Sequence, residues 1–171
     1  PSLGGATAQI QVNVTQAIQF VPQSLTLPVG SQGTFTLQVA TAQRLETTIT
    51  LDYSGAFGAV SGPPSVVLED NTTTIQFQVW GMKPSVNPVS IVATLPASLP
   101  TGLAGASATG TITMTGAPYA LTFNPASVTL PAGSATNVAA SCNYPLPPDW
   151  AMPAGFYPYT MALAMSGPSG V

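Results

Sequence analysis

The chain has 171 residues, of which two are Lys or Arg, five are Asp or Glu and none is His, giving a formal net charge of −3. So few cations exclude nucleic-acid binding, which neutralises phosphates with clustered Lys and Arg, and exclude a basic helix lying on a membrane surface. Hydrophobic residues make up 45% of the chain but never approach the run of about 20 that a spanning helix needs, so it is not expected to cross a membrane.

Taken in chain order, the first residues, PSLGGATAQ, lack the basic start and apolar stretch of a secretory leader, so the sequence is expected to be mature or an interior stretch of a longer chain. Strict alternation of apolar and polar residues follows at 8–14 (AQIQVNV), at 33–39 (GTFTLQV) and, after a threonine run, at 72–80 (TTTIQFQVW). This period places Ile75, Phe77 and Val79 on one face of a strand and Gln76 and Gln78 on the other. Further strands are predicted at 47–53, 88–95, 108–114, 121–123, 127–130, 136–142 and 159–165, where Thr, Val, Ile and aromatics suit a half-buried pleated surface. Eighteen prolines and sixteen glycines fall largely between these runs, where they end strands and form turns. Many short strands with Gly/Pro turns indicate an all-β, antiparallel sandwich.

A ten-residue phrase occurs twice. Residues 22–31 read PQSLTLPVGS and residues 125–134 read PASVTLPAGS, an offset of 125 − 22 = 103 with seven of ten residues identical. A period of about 100 residues is the size of one immunoglobulin-type sandwich. The segment before the phrase repeats too: ATAQIQVNVTQAIQFVP (6–22) aligns with SATGTITMTGAPYALTFNP (107–125), Ile10 over Ile112 and Val12 over Met114, each followed by an aromatic, Phe20 or Phe123. In both copies the last strand of one module leads directly into the first strand of the next. Residues 1–16 are therefore expected to be the closing or donor strand of a preceding or neighbouring module, 17–116 a complete sandwich, and 117–171 the first part of a second. Within the phrase, Pro22 and Pro28 suit an edge strand, Leu25 and Leu27 point inward at alternate positions, and Val29-Gly30-Ser31 turns the chain into the next strand.

This opening resembles that of bacterial immunoglobulin-like (Big or fibronectin-III-like) repeats, which are extracellular sandwich modules of surface adhesins, filaments and secreted multidomain proteins. The resemblance implies tandem immunoglobulin-like sandwiches at the cell surface, serving as a non-catalytic subunit of a filament, sheath, layer or adhesin stalk and touching copies of itself or adjacent modules. The alternative is a spacer or carbohydrate-binding accessory module of a larger secreted enzyme, or a viral surface module of the same fold. No antibody-like Cys and Trp arrangement is present, since Cys142 is single and Val39 aligns with it.

Chemistry-bearing residues are sparse. Glu69, Asp70 and Asn71 form a run of oxygen ligands that could help hold Ca²⁺, but without a second acidic cluster nearby in sequence they read more simply as a solvated turn. Asn13 (NVT) and Asn71 (NTT) fit the N-glycosylation acceptor pattern. Without His, and with Lys83 as the one lysine, no nucleophile has a base, so no enzyme activity, cofactor or metal is expected. Residues 143–165 insert a Pro- and aromatic-rich connection carrying Trp150, Phe156, Tyr157 and Tyr159, which either plug their own module or form an interface. Ile10, Val12 and Val14 lie on one face of the first strand and are candidates for pairing with another module or chain.

With Ser, Thr, Asn and Gln rather than ion pairs keeping the surface wet, stability is expected to change little between low and high salt and across mildly acidic pH. Urea melts across that grid check this; a strong loss near pH 4–5 would mean that the carboxylates are paired and structurally important.

Overall fold

The computed structural model describes residues 16–148. Nine strands form two facing sheets: β1 (Ile18–Val21), β2 (Ser24–Pro28), β3 (Gln32–Val39), β4 (Thr47–Asp52), β5 (Val60–Ser61), β6 (Ser65–Leu68), β7 (Thr74–Gly81), β8 (Val89–Thr94) and β9 (Ser107–Thr115). One sheet has the order β1-β3-β7-β5 and the other β2-β9-β8-β4-β6. Two further strands, β10 (Leu121–Asn124) and β11 (Ala139–Cys142), pair only with each other. Among the described residues the helical structure is a single 3-10 turn at Ser54–Ala56.

The first segment of chain serves both sheets. β1 pairs antiparallel with β3, Ile18 opposite Val39 and Phe20 opposite Leu37. The chain then crosses over, through a cis Val21–Pro22 bond, and β2 pairs parallel with β9, Leu25 opposite Ile112 and Leu27 opposite Met114. Proline is tolerated here because β1 and β2 are both edge strands. All other pairings within the two sheets are antiparallel. This is an immunoglobulin-like β-sandwich.

Alternation decides which side chains meet between the sheets. Thr47, Ile49 and Leu51 of β4, Val89, Ile91 and Ala93 of β8, and Phe35, Leu37 and Val39 of β3 are buried at every second position. Three rings occupy the centre: Phe20 lies edge-on to Phe35 at 5.1 Å and to Phe77 at 6.2 Å, while Phe35 and Phe77 stack at 5.9 Å. Such pairs contribute about 0.5–1.5 kcal/mol each beyond area burial. Phe20 reaches across to β9, where a side chain at Gly110 would place its Cβ 2.8 Å from the ring.

β10 and β11 reproduce β1 and β3 at the 103-residue offset. Their register is Leu121↔Cys142, Thr122↔Ser141, Phe123↔Ala140 and Asn124↔Ala139, against Ile18↔Val39, Gln19↔Gln38, Phe20↔Leu37 and Val21↔Thr36. The turn that follows is also reproduced. Gly30 and Gly133 have φ of 75° and 78°, and the hydroxyls of Ser31 and Ser134 donate to the carbonyls of Pro28 and Pro131 at 2.6 and 2.5 Å.

Two expectations change. Residues 127–130 are not a strand, and the strand expected at 136–142 shortens to β11. Their counterparts β2 and β3 are held by β9 and β7, and no such partners stand beside the second copy among the described residues. Conversely β5 and β6 carry no sequence signal, because two to four residues flanked by Pro63 and Pro64 are too few to display a period.

Gly110→Ala is expected to destabilise the sandwich by about 1–3 kcal/mol through overpacking against Phe20, and Phe20→Leu in the same chain should recover part of that loss. Urea melts of the single and double variants check it; an unchanged midpoint for Gly110→Ala would contradict the packing described.

Candidate functional site

Among the described residues, specific contacts outside the core gather at the end of the sandwich where the β2–β3 turn, the end of β7 and the end of β9 converge. The turn is bonded to both sheets. Val29 N–H donates to Thr115 O at 2.9 Å, Gly30 N–H to Gly81 O at 2.9 Å and Gly81 N–H to Ser31 O at 3.0 Å. Gly81 is required by this approach, because a Cβ there would sit 2.6 Å from the Pro28 carbonyl oxygen and 2.9 Å from Met114 Cε.

Tyr144, which follows β11, closes over the same turn. A Cβ on Gly30 would lie 2.5 Å from Tyr144 Cβ, and one on Gly116 3.1 Å from its hydroxyl; both glycines also have positive φ, 75° and 98°. Tyr144 accepts a hydrogen bond from Ala117 N–H at 3.2 Å and meets Tyr119 edge-on at 5.6 Å. Tyr119 donates its hydroxyl to Pro145 O at 3.0 Å and accepts from Trp80 Nε1 at 3.3 Å. Asn143 ties down the connector from β9 to β10: its Oδ1 accepts from Ala120 N–H at 2.8 Å and its Nδ2 donates to Pro118 O at 3.0 Å. The result is a buttressed junction between the sandwich and the β10–β11 pair rather than a cleft for a small molecule.

Among the described residues the ionisable groups do not converge. Asp52 accepts from Ser54 N–H at 2.8 Å and from the Ser54 hydroxyl at 2.9 Å, and these bonds, the backbone one foremost, hold its carboxyl below the ordinary 3.8. Burial pushes the Tyr53 phenol above its usual 10.0, and its hydroxyl has no hydrogen-bond partner among the described residues. An open groove of about 940 Å³ at the opposite end of the sandwich runs between residues 41–48 and 96–103, with Arg44 and Glu46 as its charged members.

Of the sequence-derived candidates, Asn71 is exposed in the β6–β7 turn at φ 56°. Its N–H donates to Gln43 O at 2.6 Å and its side chain to Asp70 Oδ2 at 3.2 Å. Thr72 bonds the Glu69 carbonyl, so the run Glu69-Asp70-Asn71 is a turn that spends its polar groups locally. Among the described residues no three His, Cys, Asp or Glu side chains come together. No helix there is long and apolar enough to cross a membrane. Cys142 is a free, partly buried thiol beside Asn143. Asn13, Ile10, Val12, Val14, Trp150, Phe156, Tyr157 and Tyr159 lie outside the described residues. Sequence reasoning missed Trp80, Tyr119 and Tyr144 as a group. A signal existed: at the 103-residue offset Tyr119 and Tyr144 replace Gln16 and Thr41, two aromatics where the first copy has exposed polar residues.

No family model and no curated protein matches the chain. Among solved structures, WR4, an MSP family member of C. elegans, is similar at 13% identity and a TM-score of 0.41 over 60% of this chain and 100% of its own. SSP-19, an MSP-domain protein like family member of Caenorhabditis elegans, is similar at 12% identity and 0.39, over 56% and 98%. The Salmonella enterica SafA pilin, in complex with the SafB chaperone, is similar at 13% and 0.36, over 63% and 57%. At these identities and scores none of the three bears on what this chain does.

Tyr144→Ala removes an aromatic pair and a hydrogen bond, together about 1–3 kcal/mol at the junction. Amide exchange should then accelerate in β10 and β11 and stay unchanged in β3 and β7; equal exchange everywhere would show that the ring holds nothing. Because the Asp52 carboxyl is held below 3.8, its contribution is present above that pH and is lost as pH falls through the lower folded value. Asp52→Asn should therefore flatten only the acid limb of the stability profile below pH 3.8, read from urea midpoints.

Proposed function

We propose that this chain is a non-catalytic structural protein of the cell surface, in which immunoglobulin-like sandwiches follow one another in tandem, in the manner of bacterial immunoglobulin-like repeats. The observation that carries the reading is the second hairpin: each residue pair of β1–β3 recurs in β10–β11 at the same offset, with the same following turn. A lone hairpin gains little from copying another's register; the start of a further sandwich must copy it, since a one-residue slip would turn its apolar face outward.

The junction supports a mechanical role. β9 and β10 are separated by residues 116–120 only, and the connector is fixed by Asn143, Tyr144 and the Trp80–Tyr119 hydrogen bond. A joint so tied passes tension and bending from one unit to the next instead of absorbing them as a flexible linker does. The surface supports an exposed location. Outward cross-strand pairs such as Gln19–Gln38 and Thr122–Ser141 are uncharged, so changes in external salt have little to screen. Such units would suit a filament, sheath, layer or adhesin stalk, and Asn71, exposed on its turn, is a site that a glycan could occupy without disturbing either sheet.

Antibody labelling and protease shaving of intact cells test this. The expected result is labelling of unpermeabilised cells on thin threads or a layer visible by electron microscopy. Labelling that appears only after permeabilisation would overturn it.

A further inference from the structure

β7 is paired on both sides only at its end. Val39 N–H donates to Thr73 O at 2.8 Å and Gly81 N–H to Ser31 O at 3.0 Å, so the odd-numbered residues along this strand turn their backbone groups to β3. Thr74, Gln76, Gln78 and Trp80 therefore turn theirs the other way. β5 meets only the last part of that edge, with Val60 opposite Gly81 and Ser61 opposite Trp80. The same register would next set Pro63 opposite Gln78, and proline has no N–H to give. The chain turns away instead, and Pro64 O takes the N–H of Leu51 in the facing sheet at 2.8 Å. Among the described residues no other strand bonds the outer side of residues 74–78. An open groove of about 490 Å³ runs there, lined by Thr34, Pro63, Val66, Gln76, Phe77 and Gln78.

Backbone donors and acceptors that recur at every second residue recognise another extended chain. Proteins ordinarily defend such an edge with charge, proline or shortness. Every other uncovered strand edge among the described residues is four residues long or shorter, or carries a proline. Residues 74–78 (TIQFQ) make a run of five with neither proline nor charge. We infer that residues 74–78 of two copies of the chain pair antiparallel about a two-fold axis at Gln76, with Thr74 of each copy opposite Gln78 of the other. Strand and slot are then the same five residues, so every hydrogen bond given is returned. On the outward face Gln76 meets Gln76, an amide pair of the kind that Gln19 and Gln38 make within the chain at 2.7 Å. Charge agrees with this direction. An antiparallel second copy brings its β6–β7 turn, with exposed Glu69 and Asp70, level with exposed Lys83 just beyond the end of β7, and the symmetry makes that approach twice. Parallel pairing would set the two acidic turns side by side.

A two-fold contact closes on itself, so it joins chains side by side and two at a time. The proposed array runs lengthwise, and the side-by-side contact goes beyond that reading without resting on it. The test is made on the full chain. With Cys142→Ser and Gln76→Cys it should oxidise to a covalent dimer and no higher species on non-reducing gels, because Cα atoms paired across such a ladder lie about 5.5 Å apart. Gln38→Cys, exposed on the same face of the sheet, should leave the chain monomeric when it replaces Gln76→Cys. Gln78→Pro added to Gln76→Cys should abolish the dimer and leave the urea midpoint of the sandwich unchanged, since the N–H it removes faces away from β3. Amide exchange of the unsubstituted chain reads the same edge: Gln76 and Gln78 should be protected at high concentration and lose that protection on dilution. Fast exchange at every concentration, protection in a chain that sediments as a monomer, or equal dimers from Gln38→Cys and Gln76→Cys would overturn the inference. Surface labelling of cells reads the structural role independently of these results.

Discussion

The ring of Phe20 packs against Gly110, and by that contact a side chain carried on a strand of one sheet closes on the backbone of the other. Phe20, Phe35 and Phe77 all stand on the β1-β3-β7-β5 sheet and form one ring cluster, and the missing Cβ at Gly110 lets β9 of the facing sheet lie directly against it. Immediately afterwards the chain changes sides, and β2 covers the edge of β9 that would otherwise be open. The order of strands follows from this constraint: a first segment split between two sheets staples both, and the remaining strands add antiparallel neighbours to each.

The turn at Pro28–Ser31 has a second consequence at the far end of the sandwich. Its bonds to Thr115 and Gly81 join β9 and β7, which belong to different sheets, so the turn is held rigid by both. A rigid turn with no side chain at Gly30, beside a bare Gly116, is a flat seat, and the Tyr144 ring lies across it. Tyr119 then brings the Trp80 indole and the Pro145 carbonyl onto one hydroxyl. The same phrase that opens a sandwich therefore also receives the chain that follows it.

The outward faces are built from the same economy of charge throughout. Amide and hydroxyl pairs bridge strands where other proteins use ion pairs, and Asp52 spends its charge on capping the short turn at Ser54. A surface of this kind is wetted without long-range fields, so a contact made on it would rest on shape, apolar area and strand hydrogen bonds. That is the chemistry which residues 74–78 present along the outer edge of β7.

Much of the sandwich was legible because alternation is local. The periods in β3, β4, β7, β8 and β9 each sit within a single short segment, and the 103-residue repeat fixed the turn at Gly30 and foretold its counterpart at Gly133. Strands whose existence depends on a neighbour were not legible in this way. β5 and β6 are too short to show a period and exist because β7 and β4 offer edges to them, while residues 127–130 have the composition of β2 but no β9 to pair with among the described residues. The junction was still less accessible, since Trp80, Tyr119 and Tyr144 are 39 and 25 residues apart and meet only after two sheets and a turn have been assembled. The sequence alone determined the all-β sandwich class, because side-chain alternation is set by the two-residue repeat of a strand. Only the tertiary structure decided which edges are covered and which are left open, because covering an edge takes hydrogen bonds from chain that is distant in sequence.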